Sequence, residues 1–272
     1  MNFTVEKEQE LLEFLLEKIK NKSKNTIKSL LSHEMVLVNK KVIIKYNYLL
    51  KKNYTVEIIK KINDIDIIYE DNNIIVVNKP SGLLSISTEK ETEKTLYKYI
   101  SDYVKKSNKN AKIFVVHRLD KDTSGIVIFS KNQDFKNKLQ QNWNDEVIRN
   151  YYAVVEGILE KKSGTIKSYL KENSFHKTYS SNKGELAITN YEVIKTNDLY
   201  SLLKVNIKTG KKNQIRVHLS DINHPIVGDK KYGSKIRAKR LMLCAYNVEF
   251  KNNSKYKFEI PYPEEFKKYI KA

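Results

Sequence analysis

The chain has 272 residues, with 51 Lys and Arg against 32 Asp and Glu, a formal net charge of +19, 40% apolar residues and one cysteine. That length suits one large domain and a small one, and the apolar share is enough to bury a core. A lone Cys244 excludes an internal disulfide and a thiolate cluster for zinc or iron–sulfur, and no apolar run is long enough to cross a bilayer as a helix.

Residues 1–7 lack the apolar core of a signal peptide, so a cytoplasmic protein is expected. So basic a field attracts polyanions, and nucleic acid is the first candidate. Composition alone is the competing explanation, because Lys, Asn and Ile are abundant throughout. Arginine is scarce, confined to Arg118, Arg149, Arg216, Arg237 and Arg240. Where Lys supplies most of the positive charge, an Arg points to a need for a planar, always-charged fork. Glycine is scarce too, with eight against roughly 19 at average usage. Gly82, Gly125, Gly157, Gly210, Gly228 and Gly233 all fall in the motifs below.

Leu11, Leu12, Leu15, Leu16 and Ile19 recur at helical spacing and predict an amphipathic helix over 6–20. A second helix is expected over 23–32, with Ile27, Leu30 and Leu31 buried. Val36-Leu37-Val38 and Val42-Ile43-Ile44 read as short strands around an Asn39-Lys40 turn, and 54–59 as another strand. Two helices and a small sheet make a module over 1–60. The order resembles an S4 RNA-binding domain, through Ser23-Lys24-Asn25-Thr26-Ile27 and Val36-Leu37-Val38-Asn39. The resemblance puts Lys20, Lys22, Lys24 and Lys28 where that module meets RNA phosphates, a contact that gives affinity without sequence choice. Glu34 and Lys40 stand where the pattern has glycine. A generic α/β cap with a solvated lysine face is the alternative.

Residues 61–66 are polar and read as a linker. Strands are expected over 65–69 and 74–78, separated by the turn Glu70-Asp71-Asn72-Asn73. Asn78-Lys79-Pro80-Ser81-Gly82 is then a loop, since Pro-x-Gly punctuates the chain. A helix over 95–104 and a basic surface loop over 107–112 follow.

Val116-His117-Arg118-Leu119-Asp120-Lys121-Asp122-Thr123-Ser124-Gly125 is a polar loop between apolar strands at 113–116 and 126–129. Such a loop on a rigid scaffold is where chemistry sits. It gathers an imidazole, a guanidinium and two carboxylates. A metal reading of His117, Asp120 and Asp122 lacks a second ligand cluster. A kinase reading lacks a Gly-rich phosphate loop and an Asp-Phe-Gly. The stretch resembles the H-R-L-D-x-x-T-S-G motif of the RluA-type pseudouridine synthases. That resemblance makes Asp120 the catalytic residue and Arg118 the residue that fills the space left by a flipped uridine. Asn78-Lys79-Pro80-Ser81-Gly82 resembles the family motif that buttresses the catalytic loop.

A helix is expected over 135–143. Arg149-Asn150-Tyr151-Tyr152-Ala153-Val154-Val155-Glu156-Gly157 then reads as a strand and resembles the family's K-x-Y-x-A-x-x-x-G, with Arg149 standing for Lys. The register of Ala153 and Gly157 makes Tyr151 the active-site tyrosine. Side chains of Tyr151 and Tyr152 face opposite sides of a strand, so only one can enter a pocket. Residues 161–185 read as turns around a hairpin, and 189–194 and 199–207 as strands.

Lys208-Thr209-Gly210-Lys211-Lys212-Asn213-Gln214-Ile215-Arg216-Val217-His218-Leu219 leads into a helix with Ile215, Leu219 and Ile222 buried. An Arg in a first helical turn is disfavoured by the dipole and calls for an anionic partner. The segment resembles the family's T-G-R-T-H-Q-I-R-V-H-L motif, which implies that Arg216 pairs with Asp120. Lys211, Lys212 and Asn213 depart from it while keeping basic character. His224-Pro225-Ile226-Val227-Gly228-Asp229-Lys230-Lys231-Tyr232-Gly233 resembles the H-P-x-x-G-D-x-x-Y-G loop and reads as scaffold. Arg240 to Ala245 resembles the closing strand, with Cys244 replacing His. A short helix over 264–270 ends the reading.

The resemblance covers 66–265 and implies an α+β catalytic domain over 67–272 with a mainly antiparallel mixed sheet. It implies an enzyme that isomerises uridine in RNA with Asp120, Tyr151 and Arg216 as catalytic residues. RNA contacts are expected from His117, Arg118, Lys79, Lys24, Lys28, Lys211 and Lys212. Large-subunit ribosomal RNA is the favoured substrate and tRNA the second, with a monomeric enzyme and no metal or organic cofactor. Asp120 could add to C1′, attack C6 or take a proton from C2′. A non-catalytic ribosome-assembly protein and a nucleoside hydrolase are the competing classes.

Overall fold

A computed structural model describes residues 2–19, 23–32, 34–58, 60–62, 65–89, 91–252 and 254–271. Lys20 and Lys22, expected at RNA, and positions 63 and 64 of the expected linker lie outside the described residues. The chain divides into two compact units, Met1–Ile68 and Tyr69–Ala272.

The first unit runs β1 (Asn2–Thr4), β2 (Gln9–Glu10), α1 (Leu11–Lys18), α2 (Lys24–Ser32), β3 (Val36–Val38), β4 (Lys41–Val42), β5 (Leu49–Leu50) and β6 (Thr55–Ile58). The strand order β1-β6-β3-β4 makes an antiparallel sheet. Leu11, Phe14 and Leu15 from α1 and Ile27 and Leu31 from α2 bury their faces with Val36 and Val56. The first helix starts later than its apolar spacing predicts, because Gln9 and Glu10 pair with Leu50 and Leu49. Ser23 Oγ accepts the Thr26 N–H at 3.2 Å and caps the start of α2. Asn39 and Lys40 turn the β3–β4 hairpin at φ 48° and 65°, and Glu34 sits at 57°. Glu34 and Lys40 therefore hold the left-handed backbone that glycine takes without a Cβ penalty. A short antiparallel pair, β7 (Lys60–Ile62) with β8 (Ile65–Glu70), follows.

The second unit continues with β9 (Ile74–Lys79), α3 (Leu96–Ser107), β10 (Phe114–Val115), β11 (Ser124–Ser130), α4 (Gln133–Gln141), α5 (Trp143–Glu146), β12 (Ile148–Glu156), β13 (Ser163–Glu172) and β14 (Thr178–Ser181). Then come β15 (Glu185–Thr196), β16 (Tyr200–Ile207), α6 (Gln214–Asp221), β17 (Leu243–Asn252), β18 (Ser254–Glu259) and α7 (Glu264–Ile270). The sheet order is β14-β13-β15-β16-β12-β17-β11-β9, with β10 beside β11 and β18 beside β17. The β11–β17 pair is parallel and the others are antiparallel. This is an α+β fold on a large, mostly antiparallel mixed sheet.

Every residue of β11 is buried, as its continuous Ile126-Val127-Ile128-Phe129 run requires of a central strand. Gly125 makes the parallel pairing possible: it sits at φ +117°, and a Cβ there would collide with the carbonyl oxygen of Ala245. Asp71 Oδ1 accepts the N–H groups of Asn73 and Ile74, closing the turn before β9. Helix α6 packs on the β13–β14 hairpin, with Val217 against Leu170 and Ala187. The β17–β18 hairpin was not evident from the sequence, where only 240–245 read as a strand. Among the described residues no helix is long and apolar enough to cross a membrane.

Candidate active site

Strands β10 and β11 bracket the loop that carries Asp120, and the loop after β9 holds it from below. Lys79 reaches into this contact with no exposed surface. Its Nζ donates to the carbonyls of Pro80 at 3.1 Å, Leu83 at 2.8 Å and Lys121 at 2.9 Å. Burial pulls its pKa down to about 7, while Asp122 and Asp120 work against that fall. Lys79 is therefore not the RNA contact expected from the sequence, because its ammonium is spent on backbone oxygens. Ser81 Oγ donates to the Asp122 carbonyl at 2.6 Å, and Ser85 Oγ to that of Leu119 at 2.6 Å.

Asp120 opens onto a cavity of about 320 Å³, within the range that takes small ligands. His117, Arg118, Arg149, Tyr151 and Arg216 share its wall. Burial raises the pKa of Asp120, and the charges of Arg216, Arg118 and Lys79 oppose the rise.

Arg216 departs from expectation. Its fork closes on Asp229, with Nε to Oδ2 at 2.7 Å and Nη2 to Oδ1 at 2.8 Å, and its Nη1 donates to Asn213 Oδ1 at 3.0 Å. The expected bond to Asp120 is replaced by this pair, and Arg216 acts on Asp120 through its field. The cause lies in the loop after α6. Asp229 caps the 3-10 turn Lys230–Tyr232, which sets its carboxylate edge-on to the fork, and the Tyr232 ring lies 4.9 Å from the guanidinium carbon. Asn213 takes a left-handed backbone, φ 54°, and turns the chain into α6.

Arg149, Tyr151 and Ala153 are the buried residues of β12 on one face, in alternation with Asn150 and Tyr152. Tyr151 lines the cavity, whereas Tyr152 stacks on Tyr246 with ring centroids 3.7 Å apart. Burial pushes the Tyr151 pKa to about 12; Arg149 opposes the rise and Asp120 adds to it.

His117 also differs from its expected role as an RNA contact. Its Nε2 accepts the Ile128 N–H at 3.1 Å and its ring stacks on Trp143 at 4.7 Å. Burial, aided by Arg149, lowers its pKa to about 3, so it meets the cavity as a neutral ring. Arg118 is exposed at the cavity wall. Lys211 lines the same cavity and pairs with Glu185 at 2.7 Å; Lys212 pairs with Glu172 at 2.8 Å.

Lys212 borders a second, broader cleft of about 850 Å³, where Lys121, Lys230, Lys231 and Lys239 gather. Lys24 and Lys28 are exposed on α2 of the first unit. Among the described residues no group of three or more His, Cys, Asp or Glu is arranged to hold a metal.

Sequence reasoning missed Asp229 as the partner of Arg216, although it had placed that residue in a family motif. It also gave Arg149 no task beyond standing for the Lys of the motif.

Residues 73–221 match the family model described as RNA pseudouridylate synthase. The ribosomal large subunit pseudouridine synthase D of Borreliella burgdorferi is 37% identical over 216 residues, 74% of this chain and 66% of that protein. The chain belongs to the RluA-type RNA pseudouridine synthases. The uncharacterized RNA pseudouridine synthase YhcT of Bacillus subtilis (strain 168) is 33% identical over 226 residues, 78% of this chain and 74% of the relative. Human RNA Pseudouridylate Synthase Domain Containing 4 shares the fold, with a TM-score of 0.64 at 22% identity over 74% of this chain and 89% of that one. As a pseudouridine synthase, the enzyme takes uridine in RNA and exchanges its N1–C1′ bond for a C5–C1′ bond.

Proposed function

We propose that this synthase acts on large-subunit ribosomal RNA with Asp120 as its catalytic carboxylate. One observation carries the catalytic reading: among the described residues, Asp120 is the one carboxylate lining the 320 Å³ cavity. Base exchange at C1′ calls for an anionic group beside the ribose, as nucleophile or as base. Tyr151, which lines the same cavity, lies flat on the uracil and offers its hydroxyl for proton transfer. Arg216 keeps the cavity electropositive, which favours the ionised form of Asp120. Arg118 stacks where the uridine leaves the helix.

The ribosomal target is supported by the relatives named ribosomal large subunit pseudouridine synthase D in Borreliella burgdorferi and Blochmanniella floridana. The lysines of the second cleft suit RNA phosphates, with Lys211 and Lys212 at its approach. The first unit acts as an S4-like module that adds affinity through Lys24 and Lys28. We read the enzyme as a cytoplasmic monomer.

The test is tritium release from transcripts labelled at uracil C5, comparing wild type with Asp120→Ala on large-subunit rRNA and on tRNA. Release from rRNA by wild type alone supports the reading. Release from tRNA in its place moves the target, and release by Asp120→Ala removes Asp120 from the chemistry.

A further inference from the structure

Arg149 is a buried cation. It is 4% exposed, and among the described residues it forms no ion pair. Its Nη2 donates to Asn144 Oδ1 and to the Lys208 carbonyl, each at 3.2 Å. These bonds fix the plane of the guanidinium, which lies 5.9 Å from the centre of the Trp143 ring. Among the described residues Nη1 forms no hydrogen bond. Nε is buried with no hydrogen-bond partner. Nη1 lies beside Gly210, where a Cβ would approach it to 3.0 Å, so the absence of a side chain there leaves it room. Both Arg149 and Gly210 line the cavity of Asp120. A buried donor that carries full charge and lacks a partner is costly to a fold and is a mark of a site built for a ligand.

The place of Arg149 in the cavity says which part of a ligand it meets. Arg149 and Tyr151 are two residues apart on one face of β12. Strand register gives the order: the Asp120 loop enters β11 at Ser124 and Gly125, which pair with Cys244 and Ala245, while Tyr151 pairs with Ala245 and Arg149 with Val248, further along β17. Tyr151 therefore lies between the two charged ends. This step rests on reading the cavity as the seat of the flipped uridine, with C1′ beside Asp120. A uracil laid on Tyr151 then points its far edge, opposite N1, at Arg149. That edge carries O4 in uracil and an amino group in cytosine. A backbone phosphate would stay at the mouth, where Arg118 is exposed.

We propose that Arg149 reads the base, donating from Nη1 to O4 of the flipped uracil and thereby selecting uridine over cytidine. A guanidinium has donors only, so cytosine would present a donor to a donor. A site that leaves buried polar groups unpaired with the wrong ligand discriminates strongly. The same contact serves the reaction. When the C1′–N1 bond breaks, its electron pair passes to the base and spreads onto O2 and O4. Arg149 then faces a charge that grows at the oxygen it already holds. The charge is discharged as C5 bonds to C1′; the C5 proton then leaves to solvent and a proton is taken up at N1, which gives neutral pseudouridine.

The experiment is a side-chain NMR titration of the full chain, in which Arg118, Arg149, Arg216, Arg237 and Arg240 are the five arginines. Arg149→Lys identifies the Arg149 Nε–H signal by its loss. Uridine 5′-monophosphate should move that signal, and cytidine 5′-monophosphate and inorganic phosphate should not. Equal movement by the cytidine nucleotide, movement by phosphate alone, or no movement at saturating uridine nucleotide overturns the proposal.

A second arm uses tritium release from the rRNA and tRNA transcripts. Arg149→Met should lower kcat/KM by about 10- to 100-fold, and Arg149→Lys should restore most of it. An Arg149→Met enzyme that melts like wild type and keeps its kcat/KM also overturns it. Wild-type silence on both transcripts counts against the choice of RNA, and the nucleotide titration still decides the role of Arg149.

Discussion

Arg216 holds Asp229 through two parallel bonds of 2.7 and 2.8 Å, and both side chains are buried. The pair ties the start of α6 to the loop after it, so the positive charge that Asp120 feels is fixed in place. Breaking a buried pair strands one charge and costs about 3–5 kcal/mol. Asp229→Asn should therefore lower the melting temperature markedly. Arg216→Lys keeps the charge and loses the planar fork, so it should fold with a smaller loss and turn over slowly. Thermal melting together with tritium release checks both. An Asp229→Asn protein as stable as wild type would mean that the pair contributes little.

The pH profile follows from Asp120. Its pKa is raised above 3.8 by burial, and the role proposed for Asp120 needs the carboxylate. As pH falls through that raised pKa, the group gains a proton, so log kcat/KM should drop with unit slope at a midpoint above 3.8. Arg216→Met removes a charge that holds the pKa down, so its midpoint should move to higher pH. A midpoint that stays put would separate Arg216 from the ionisation of Asp120.

Tyr151 and Tyr152 make an internal control on one strand. Tyr151→Phe removes a hydroxyl at the cavity and should lower kcat by about 10²-fold or more, the scale of proton-transfer catalysis. Tyr152 stacks on Tyr246 away from the cavity. Its change to Phe keeps the stack and removes a hydroxyl that lies outside the cavity, so kcat should stay within about twofold. Single-turnover rates on the same transcript decide between them, and the reverse order would place the wrong tyrosine in the chemistry.

The S4-like reading of the first unit is tested by salt. Lys24 and Lys28 lie one helical turn apart on α2 and are exposed. If both meet phosphates, Lys24→Gln with Lys28→Gln should flatten the slope of log affinity against log salt by about 1.5. Tritium release per bound RNA should stay unchanged. An unaltered slope would take these lysines out of the RNA interface.

Much of this was legible in the sequence, for unequal reasons. The loop around Asp120 could be read because its polar residues interrupt two apolar strands and match a long motif. The facing of Tyr151 could be read because strand alternation is strictly two-fold. The partner of Arg216 could not, since two carboxylates, Asp120 and Asp229, lie within reach and spacing does not rank them. Lys79 misled as a basic residue in a basic chain; its burial depends on three carbonyls brought together by loops distant in sequence. The β17–β18 hairpin was passed over because the motif match stopped at Ala245, although Val248, Phe250, Tyr256 and Phe258 alternate with polar residues as strands do.

The three carbonyls that converge on Lys79 belong to both loops, two from 80–83 and one from 121. Neither loop can lift away without leaving a buried ammonium short of acceptors, so the two must open together. Hydrogen exchange would register this as one event, with the amides of Gly82 and Leu119, bonded to Lys121 and Ser85 respectively, sharing a single opening free energy. The floor of the catalytic cleft then moves as a unit and keeps its shape between turnovers, and an incoming RNA loses no entropy in ordering it.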